Sequence, residues 1–193
     1  MTTYSNAQVS QITPLPAGEH LAVLEGTGYN NTVCHTQGEN ILYQRSRFAT
    51  QLPVSCRYTP SHFWLLEESA GVWRIGFTKL ATWLLGDPVE FEFSVRAGAA
   101  VSVGQEIGWV EGLKALNTIY SVAEGEFLCA CEEIISDITL IGSDPYGLGW
   151  LYRVRGKPAA ESVDVHAYIT VLDEAVDNVI RGREEECGGT CAG

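Results

Sequence analysis

The sequence predicts a mainly β domain, a sandwich or flattened β-barrel with one short internal helix and one C-terminal helix. Three observations in the 193-residue chain support this fold class. Short apolar segments alternate with glycine-containing turns from residue 58 to residue 130, which is typical of sandwiches and barrels. One segment among them has helical spacing of its apolar residues. The period becomes helical again over residues 162–181.

The first strands are predicted at residues 63–67 and 72–77, around the turn-forming Ser69-Ala70-Gly71. Residues 89–93 alternate strictly between apolar and acidic side chains, as a strand with one buried face does. The next segment, residues 99–103, is bounded by two glycines that are predicted to form turns.

A short amphipathic helix is predicted over residues 78–85, where four apolar side chains recur at helical spacing. Thr78 is the predicted N-cap, because a threonine hydroxyl can accept a hydrogen bond from a free amide of the first turn. Gly86-Asp87-Pro88 is predicted to end the helix.

The C-terminal helix is predicted over residues 162–181, with Ser162 as N-cap and Gly182 as C-cap. Its apolar side chains fall on one face, so we expect the helix to dock on the domain. The members of that face are Val165, Tyr168, Ile169, Leu172, Val176 and Val179.

A lone lysine, Lys114, lies between two predicted strands, residues 107–111 and 116–122. At the tip of such a hairpin it exposes a primary amine on a flexible four-carbon stem, which an attaching enzyme can modify. The alternative is an ordinary solvated turn lysine, since lysine is mostly found at protein surfaces. Residues 126–129 are predicted as the strand that follows the hairpin.

The charge balance excludes several classes of function. The net charge is −12, with 24 acidic against 12 basic residues, whereas nucleic-acid binding requires basic patches.

The chain contains no apolar run of 18 residues, so we expect no transmembrane helix. The first lysine or arginine is Arg45, which argues against a secretory signal and favours a cytoplasmic protein. In that compartment the six cysteines are expected to be thiols.

The sequence predicts three parts: an N-terminal extension, residues 1–57, a domain, residues 58–182, and a flexible cysteine-containing tail, residues 183–193. The extension is polar and has no sustained period. Two short apolar pieces, Leu21–Leu24 and Ile41–Tyr43, are predicted as edge strands or packing straps, and the alternative is a partly ordered extension.

Six segments, in one order along residues 58–181, resemble the H protein family of the glycine cleavage system. The lysine segment and the aspartate-proline-tyrosine-glycine segment are the most specific of them. In order, the segments are His62-Phe63-Trp64, Gly76-Phe77-Thr78-Lys79-Leu80-Ala81, Leu85-Gly86-Asp87, Glu111-Gly112-Leu113-Lys114-Ala115, Asp144-Pro145-Tyr146-Gly147-Leu148-Gly149-Trp150-Leu151 and Asp164-Val165-His166-Ala167-Tyr168.

The resemblance implies a lipoyl/biotinyl-carrier-like fold and a non-catalytic carrier. Lipoate would be attached covalently to Lys114, and Glu111, Gly112 and Ala115 would form the hairpin tip that a lipoyl ligase recognises. The reactive chemistry would then belong to the cofactor, and the protein would supply attachment and orientation.

The resemblance also implies the partners. The arm would take an aminomethyl group from a pyridoxal-phosphate glycine decarboxylase and present it to an aminomethyltransferase. Dihydrolipoyl dehydrogenase would then reoxidise the arm. A carrier that visits several enzymes is expected to be a monomer.

The lysine segment departs from the family at one position, because Gly112 replaces the expected serine. Val122 also stands where the family has a proline, and Cys131 stands where it has an asparagine. These departures leave two alternatives open. One is an H-like lipoate-binding protein that carries sulfur in a heterodisulfide-reductase-like sulfur oxidation pathway. The other is a structural relative without lipoate.

Two pairs of cysteines are candidates for redox chemistry. Cys129 and Cys131 would point to the same face of a strand, where they could bind a metal or exchange thiols, or serve as small buried apolar residues. Cys187 and Cys191 in the tail could exchange with a dithiolane, and the alternative is an inert tail. The four histidines have no metal-binding spacing.

Overall fold

The computed structural model describes residues 38–188, with side chains as far as Gly182, so Leu21–Leu24 and Cys191 lie outside the described residues. In this part of the chain, strands dominate and helices are few, as predicted. The strands are β1 Asn40–Arg45, β2 Phe48–Pro53, β3 Arg57–Tyr58, β4 Phe63–Ser69, β5 Val72–Phe77, β6 Pro88–Phe93, β7 Ala100–Val101, β8 Glu106–Gly112, β9 Leu116–Tyr120, β10 Ala123–Ala130 and β11 Tyr152–Pro158. The helices are α1 Lys79–Leu85, α2 Glu132–Ser136, α3 Leu140–Ser143 and α4 Val165–Gly188.

Three antiparallel sheets organise the described residues. The largest has six strands in the order β3-β4-β5-β11-β10-β7, the second has three in the order β6-β8-β9, and β1 pairs with β2 alone. The mainly β fold class is confirmed. Strand β11 lies in the middle of the six-stranded sheet, between β5 and β10, and it is absent from the predicted strands.

Three of the six family-like segments meet on the six-stranded sheet. The indole Nε1 of Trp64 donates to the carbonyl oxygen of Pro145 over 2.9 Å. The same indole lies against Gly76 on the neighbouring strand, where an added β-carbon would be 2.7 Å from the ring. A glycine at residue 76 therefore lets Trp64 lie flat on the sheet and hold the loop around Pro145 in place.

The internal helix begins and ends as predicted, but its cap differs. Gly86 has a φ of 79° and closes α1 with its amide on the carbonyl oxygen of Thr82. Thr78 occupies the N-cap position without a side-chain capping bond. Its Oγ1 instead accepts a hydrogen bond from the Tyr168 hydroxyl over 3.2 Å, so the hydroxyl ties α1 to the C-terminal helix.

The caps predicted for the C-terminal helix are wrong at both ends. Asp164 caps α4, because its Oδ1 accepts a hydrogen bond from the Ala167 amide over 2.9 Å. The Ser162 hydroxyl instead accepts a hydrogen bond from Nε of Arg57 over 2.9 Å. The helix continues through Gly182 to Gly188, because glycine ends a helix only where the chain turns left-handed, and Gly182 does not.

The docked face of α4 is the predicted one. Val165, Tyr168, Leu172 and Val176 are buried. The ring of Tyr168 stacks on Tyr58 with the centroids 4.6 Å apart. None of the described helices is long and apolar enough to cross a membrane.

Candidate functional site

The lysine segment forms the predicted hairpin. Strands β8 and β9 pair antiparallel with Glu111 opposite Leu116, and the amide of Gly112 donates to the carbonyl oxygen of Ala115 over 2.8 Å. Leu113 and Lys114 are left at the tip, and both are exposed. A short, closed turn of this kind presents the lysine in one place.

Helix α1 fixes the position of this turn through backbone hydrogen bonds. The amide of Lys114 donates to the carbonyl oxygen of Leu85 over 3.1 Å, and the amide of Leu113 donates to that of Asp87 over 2.9 Å. Gly86 lies between these acceptors, and an added β-carbon there would be 2.9 Å from Cγ of Lys114. The tip of the hairpin therefore rests directly on the C-terminal end of α1.

Gly112 is part of the same close contact. An added β-carbon at residue 112 would lie 2.5 Å from the carbonyl oxygen of Leu85 and 2.7 Å from its Cγ. Side chains do not approach a backbone oxygen so closely, so a serine would force the turn and the helix apart. The replacement of the expected serine by glycine thus has a steric reason in this chain.

The amine of Lys114 is accessible and weakly held. Its Nζ donates to the carbonyl oxygen of Trp83 over 3.3 Å. This carbonyl lies in the last turn of α1, where carbonyl groups have no helical partner and attract cations. Among the ion pairs of the described residues, none includes Lys114. An acyl group could therefore be attached without breaking an ion pair.

A cleft of about 360 Å³ opens beside the amine, between α1 and α3. Lys79 lies on its wall and is itself fixed, because its Nζ donates to the carbonyl oxygen of Gly142 over 2.7 Å. The residues that line the cleft are Lys79, Thr82, Trp83, Gly86, Asp87, Pro88, Lys114, Thr139, Gly142 and Ser143.

Acidic side chains flank the hairpin. Glu90 on β6 lies directly opposite Glu111 on β8, and both carboxylates are exposed, as is that of Asp87. Like charges opposite each other in a sheet destabilise the pair. The arrangement therefore gives the lysine turn an acidic border that suits a basic partner surface.

The sequence predictions for this site were incomplete. Glu111, Gly112, Lys114 and Ala115 lie together because they are contiguous. The sequence did not predict that carbonyl oxygens at the end of α1 accept hydrogen bonds from the lysine turn. Backbone acceptors of this kind do not depend on the side-chain pattern. The family-like segment Leu85-Gly86-Asp87 was the sequence signal for this contact, since the carbonyl oxygens of Leu85 and Asp87 accept hydrogen bonds from the hairpin.

The prediction that Cys129 and Cys131 share one strand face is wrong. Strand β10 is irregular between Phe127 and Cys129 and ends at Ala130, so Cys131 lies outside the strand, at the N-cap position of α2. Cys131 is buried, its Sγ lies 3.1 Å from a carboxylate oxygen of Glu133, and burial raises the pKa of its thiol to about 12. Within the described residues, Cys56, Cys129 and Cys131 are free thiols.

Comparison with known proteins gives one consistent result. The sequence model of the family described as "Glycine cleavage H-protein" matches residues 56–172. Over 128 residues, the chain is 35% identical to the glycine cleavage system H protein of Alteromonas mediterranea and 36% identical to that of Aeromonas hydrophila. Each alignment covers 65% of this chain and 98% of the relative.

The fold comparison agrees with the sequence comparison. The crystal structure of a glycine cleavage system H protein from Mycobacterium marinum superimposes with a TM-score of 0.55 at 30% sequence identity. The superposition covers 61% of this chain and 95% of that structure.

Proposed function

The chain belongs to the glycine cleavage H-protein family, and on that premise we propose that it carries lipoate on Lys114. Members of this family are non-catalytic lipoyl carriers, so the chain is a carrier and not an enzyme. The observation that carries the proposal is the exposed amine of Lys114 at the tip of a hairpin that is hydrogen-bonded to α1. An amide bond would form between Nζ and the carboxyl group of lipoate.

The residues around Lys114 fit such a group. The amine is exposed, the turn is closed by the Gly112–Ala115 hydrogen bond, and the neighbouring cleft provides space beside the stem. Acylation would remove the positive charge of the lysine, and with it the attraction to the carbonyl oxygen of Trp83. The loaded arm would therefore be freer to leave α1 than the unmodified side chain.

The partners we propose are those of glycine cleavage: the pyridoxal-phosphate glycine decarboxylase, the aminomethyltransferase, dihydrolipoyl dehydrogenase and a lipoyl ligase. The dithiolane of lipoate supplies the reversible sulfur chemistry by which an aminomethyl group can be held and passed on. The protein presents the arm on a rigid turn with an acidic border of Asp87, Glu90 and Glu111. A net charge of −12 supports association with basic partner faces.

We further propose that the chain works as a monomer in the cytoplasm. The free thiols of Cys56, Cys129 and Cys131 support a reducing compartment.

The test is co-expression with a lipoyl ligase and lipoate, followed by intact-mass measurement and peptide mapping. We expect one lipoyl group on Lys114 and none on Lys79 or Lys157. Lys114→Arg, which keeps the charge, should stay unmodified. A wild-type protein without added mass would remove the proposed function and leave the unlipoylated alternative.

The cargo is tested separately, with the lipoylated protein and glycine decarboxylase. Glycine-dependent exchange of labelled bicarbonate that requires the lipoylated carrier would support aminomethyl transport. A lipoylated protein that supports no exchange would instead indicate the sulfur-carrying alternative.

A further inference from the structure

The parts of the chain that the family match leaves out pack against each other. The match covers residues 56–172. The β1–β2 hairpin precedes it, and α4 from Asp173 onward follows it. Arg45 at the end of β1 forms ion pairs of 2.7 Å with both Asp173 and Asp177 of α4. Two segments that lie outside the family match are thus joined into one feature.

This junction has a defined geometry. The Nε and Nη2 atoms of Arg45 each donate to one carboxylate oxygen of Asp177 over 2.7 Å, and Nη1 donates to Asp173 over the same distance. Tyr43 donates its hydroxyl to Asp173 over 2.8 Å. A planar guanidinium that binds two carboxylates in this way fixes the angle between the hairpin and the helix.

The hairpin is connected to both ends of α1, directly at Trp83 and through Tyr146 at Lys79. The ring of Phe48, which is only 4% exposed, packs on the indole of Trp83 with 5.5 Å between the centroids. At the other end, the Thr50 side chain lies beside the Tyr146 hydroxyl. That hydroxyl accepts a hydrogen bond from the amide of Lys79 over 3.2 Å. Phe48 and Thr50 are two residues apart on β2, so one face of the strand makes both contacts.

Helix α1 needs such support. It has seven residues, its N-cap threonine makes no capping bond, and its last turn contains no basic residue. A helix of two turns is unstable on its own and depends on tertiary contacts. The end of this helix provides the carbonyl oxygens that hold the amide and the amine of Lys114.

We propose that the β1–β2 hairpin, attached to α4 through Arg45, is a clamp on α1 that positions Lys114, with Phe48 and Thr50 as positioning residues. The inference rests on the proposed function, because the position of Lys114 matters for a ligase that must bind the turn. The hairpin acts on the lysine through Trp83 and Tyr146.

The test compares Phe48→Ala with Leu42→Ala, a matched control whose side chain is 73% exposed on the same hairpin. The first readout is the rate at which an acetyl N-hydroxysuccinimide ester acylates Lys114, measured by peptide mapping relative to exposed Lys157. Loosening α1 should free the amine from Trp83 and raise this ratio severalfold in Phe48→Ala, whereas Leu42→Ala should leave it unchanged. Thr50→Val, which keeps the side-chain volume, should raise it less.

The second readout is enzymatic lipoylation by the ligase. We expect kcat/KM to fall about tenfold in Phe48→Ala, since a misplacement of about 1 Å can reduce a rate by about 100-fold. Phe48→Tyr keeps the ring and should restore the wild-type value. The simple reagent and the ligase should thus respond in opposite directions, which a loss of stability alone would not produce.

The outcomes separate the two proposals. If the ligase modifies wild type and Phe48→Ala equally well, and the acylation ratio is unchanged in both Phe48→Ala and Thr50→Val, the clamp is refuted while the carrier function stands. If the ligase does not modify wild type but the ratio still rises in Phe48→Ala, the clamp stands and the carrier function falls.

Discussion

The carbonyl oxygen of Leu85 occupies the space into which a side chain of residue 112 would extend. An added β-carbon on Gly112 would be 2.5 Å from this oxygen. The close approach allows the next two turn residues, Leu113 and Lys114, to donate their amides to Asp87 and Leu85. The glycine that departs from the expected family serine therefore lets the lysine turn lie directly on the end of α1.

Gly112→Ala should consequently destabilise the protein by about 1–3 kcal/mol, the usual cost of inserting atoms into a packed site. Lipoylation of Lys114 should slow in the same variant, because the turn must move away from α1. Urea unfolding and a ligase assay would measure the two effects.

The control is Gly182→Ala in α4, where an added β-carbon meets nothing within 4 Å. It should stabilise the protein by about 0.5–1 kcal/mol, since alanine is the better helix former. Equal stability of Gly112→Ala and wild type would contradict the close packing of the hairpin on Leu85.

Trp150→Ala and Lys114→Ala should separate folding from function. Trp150 is 5% exposed, and the guanidinium of Arg153 lies 4.3 Å from its ring centroid. Its removal should lower the free energy of unfolding by about 3–5 kcal/mol. Lys114 is exposed and makes one long side-chain hydrogen bond, so its replacement should change stability by about 0.5 kcal/mol or less.

Thermal or urea unfolding of both variants, with intact mass after ligase treatment, provides the measurement. Lys114→Ala should fold like wild type and carry no lipoyl group. A comparable loss of stability in both variants would mean that Lys114 is part of the packed domain.

Much of the fold follows from local patterns in the sequence. The alternation in residues 89–93 located a strand, and the helical spacing in residues 78–85 located a helix that buries Leu80 and Leu85. The fully buried face expected for residues 89–93 is wrong, because Val89 is exposed and Phe91 and Phe93 are only half-buried. Strand β11 escaped prediction because Arg153, Arg155 and Lys157 give it the polarity of a surface segment. In the structure these side chains share one face of the strand, while Tyr152 and Val154 are buried on the other.

The candidate site was predictable only in part. The hairpin around Lys114 is local, so the sequence located it. Its attachment to Leu85 and Asp87 joins residues far apart in the chain through backbone atoms, which no side-chain pattern reports. The cap of α4 shows the same limit, because Ser162 and Asp164 both suit an N-cap and only the contact with Arg57 decides between them.

The three described cysteines should react unequally with a thiol reagent. Burial raises the pKa of the Cys56 and Cys131 thiols to about 12, so both remain protonated and covered near neutral pH. Cys129 is only half-buried. In the folded protein at about pH 8, iodoacetamide should modify Cys129 well before Cys56 or Cys131, as followed by peptide mapping.

The same experiment in urea provides the control, since all three thiols should then react at similar rates. Rapid modification of Cys131 in the folded protein would contradict its burial at the start of α2. It would also support a redox role for Cys129 and Cys131.

His62 should give the protein a stability that depends on pH. Burial lowers the pKa of this imidazole, whose Nδ1 lies 2.9 Å from the Tyr168 hydroxyl. Burial raises the pKa of Tyr168, so the phenol stays neutral in the range concerned. The unfolded chain, with an imidazole pKa of about 6.5, binds a proton more readily than the folded one. The stability contributed by His62 is therefore complete above about pH 6.5 and is lost as the pH falls toward the lowered pKa.

His62→Asn isolates this contribution. His62 has a φ of 64°, and asparagine tolerates that left-handed conformation better than most residues. Urea midpoints of wild type and variant should run parallel above about pH 7 and converge as the pH falls below about 6, because the variant has no imidazole to protonate. A constant difference between the two proteins across this range would show that His62 titrates alike in the folded and unfolded chain.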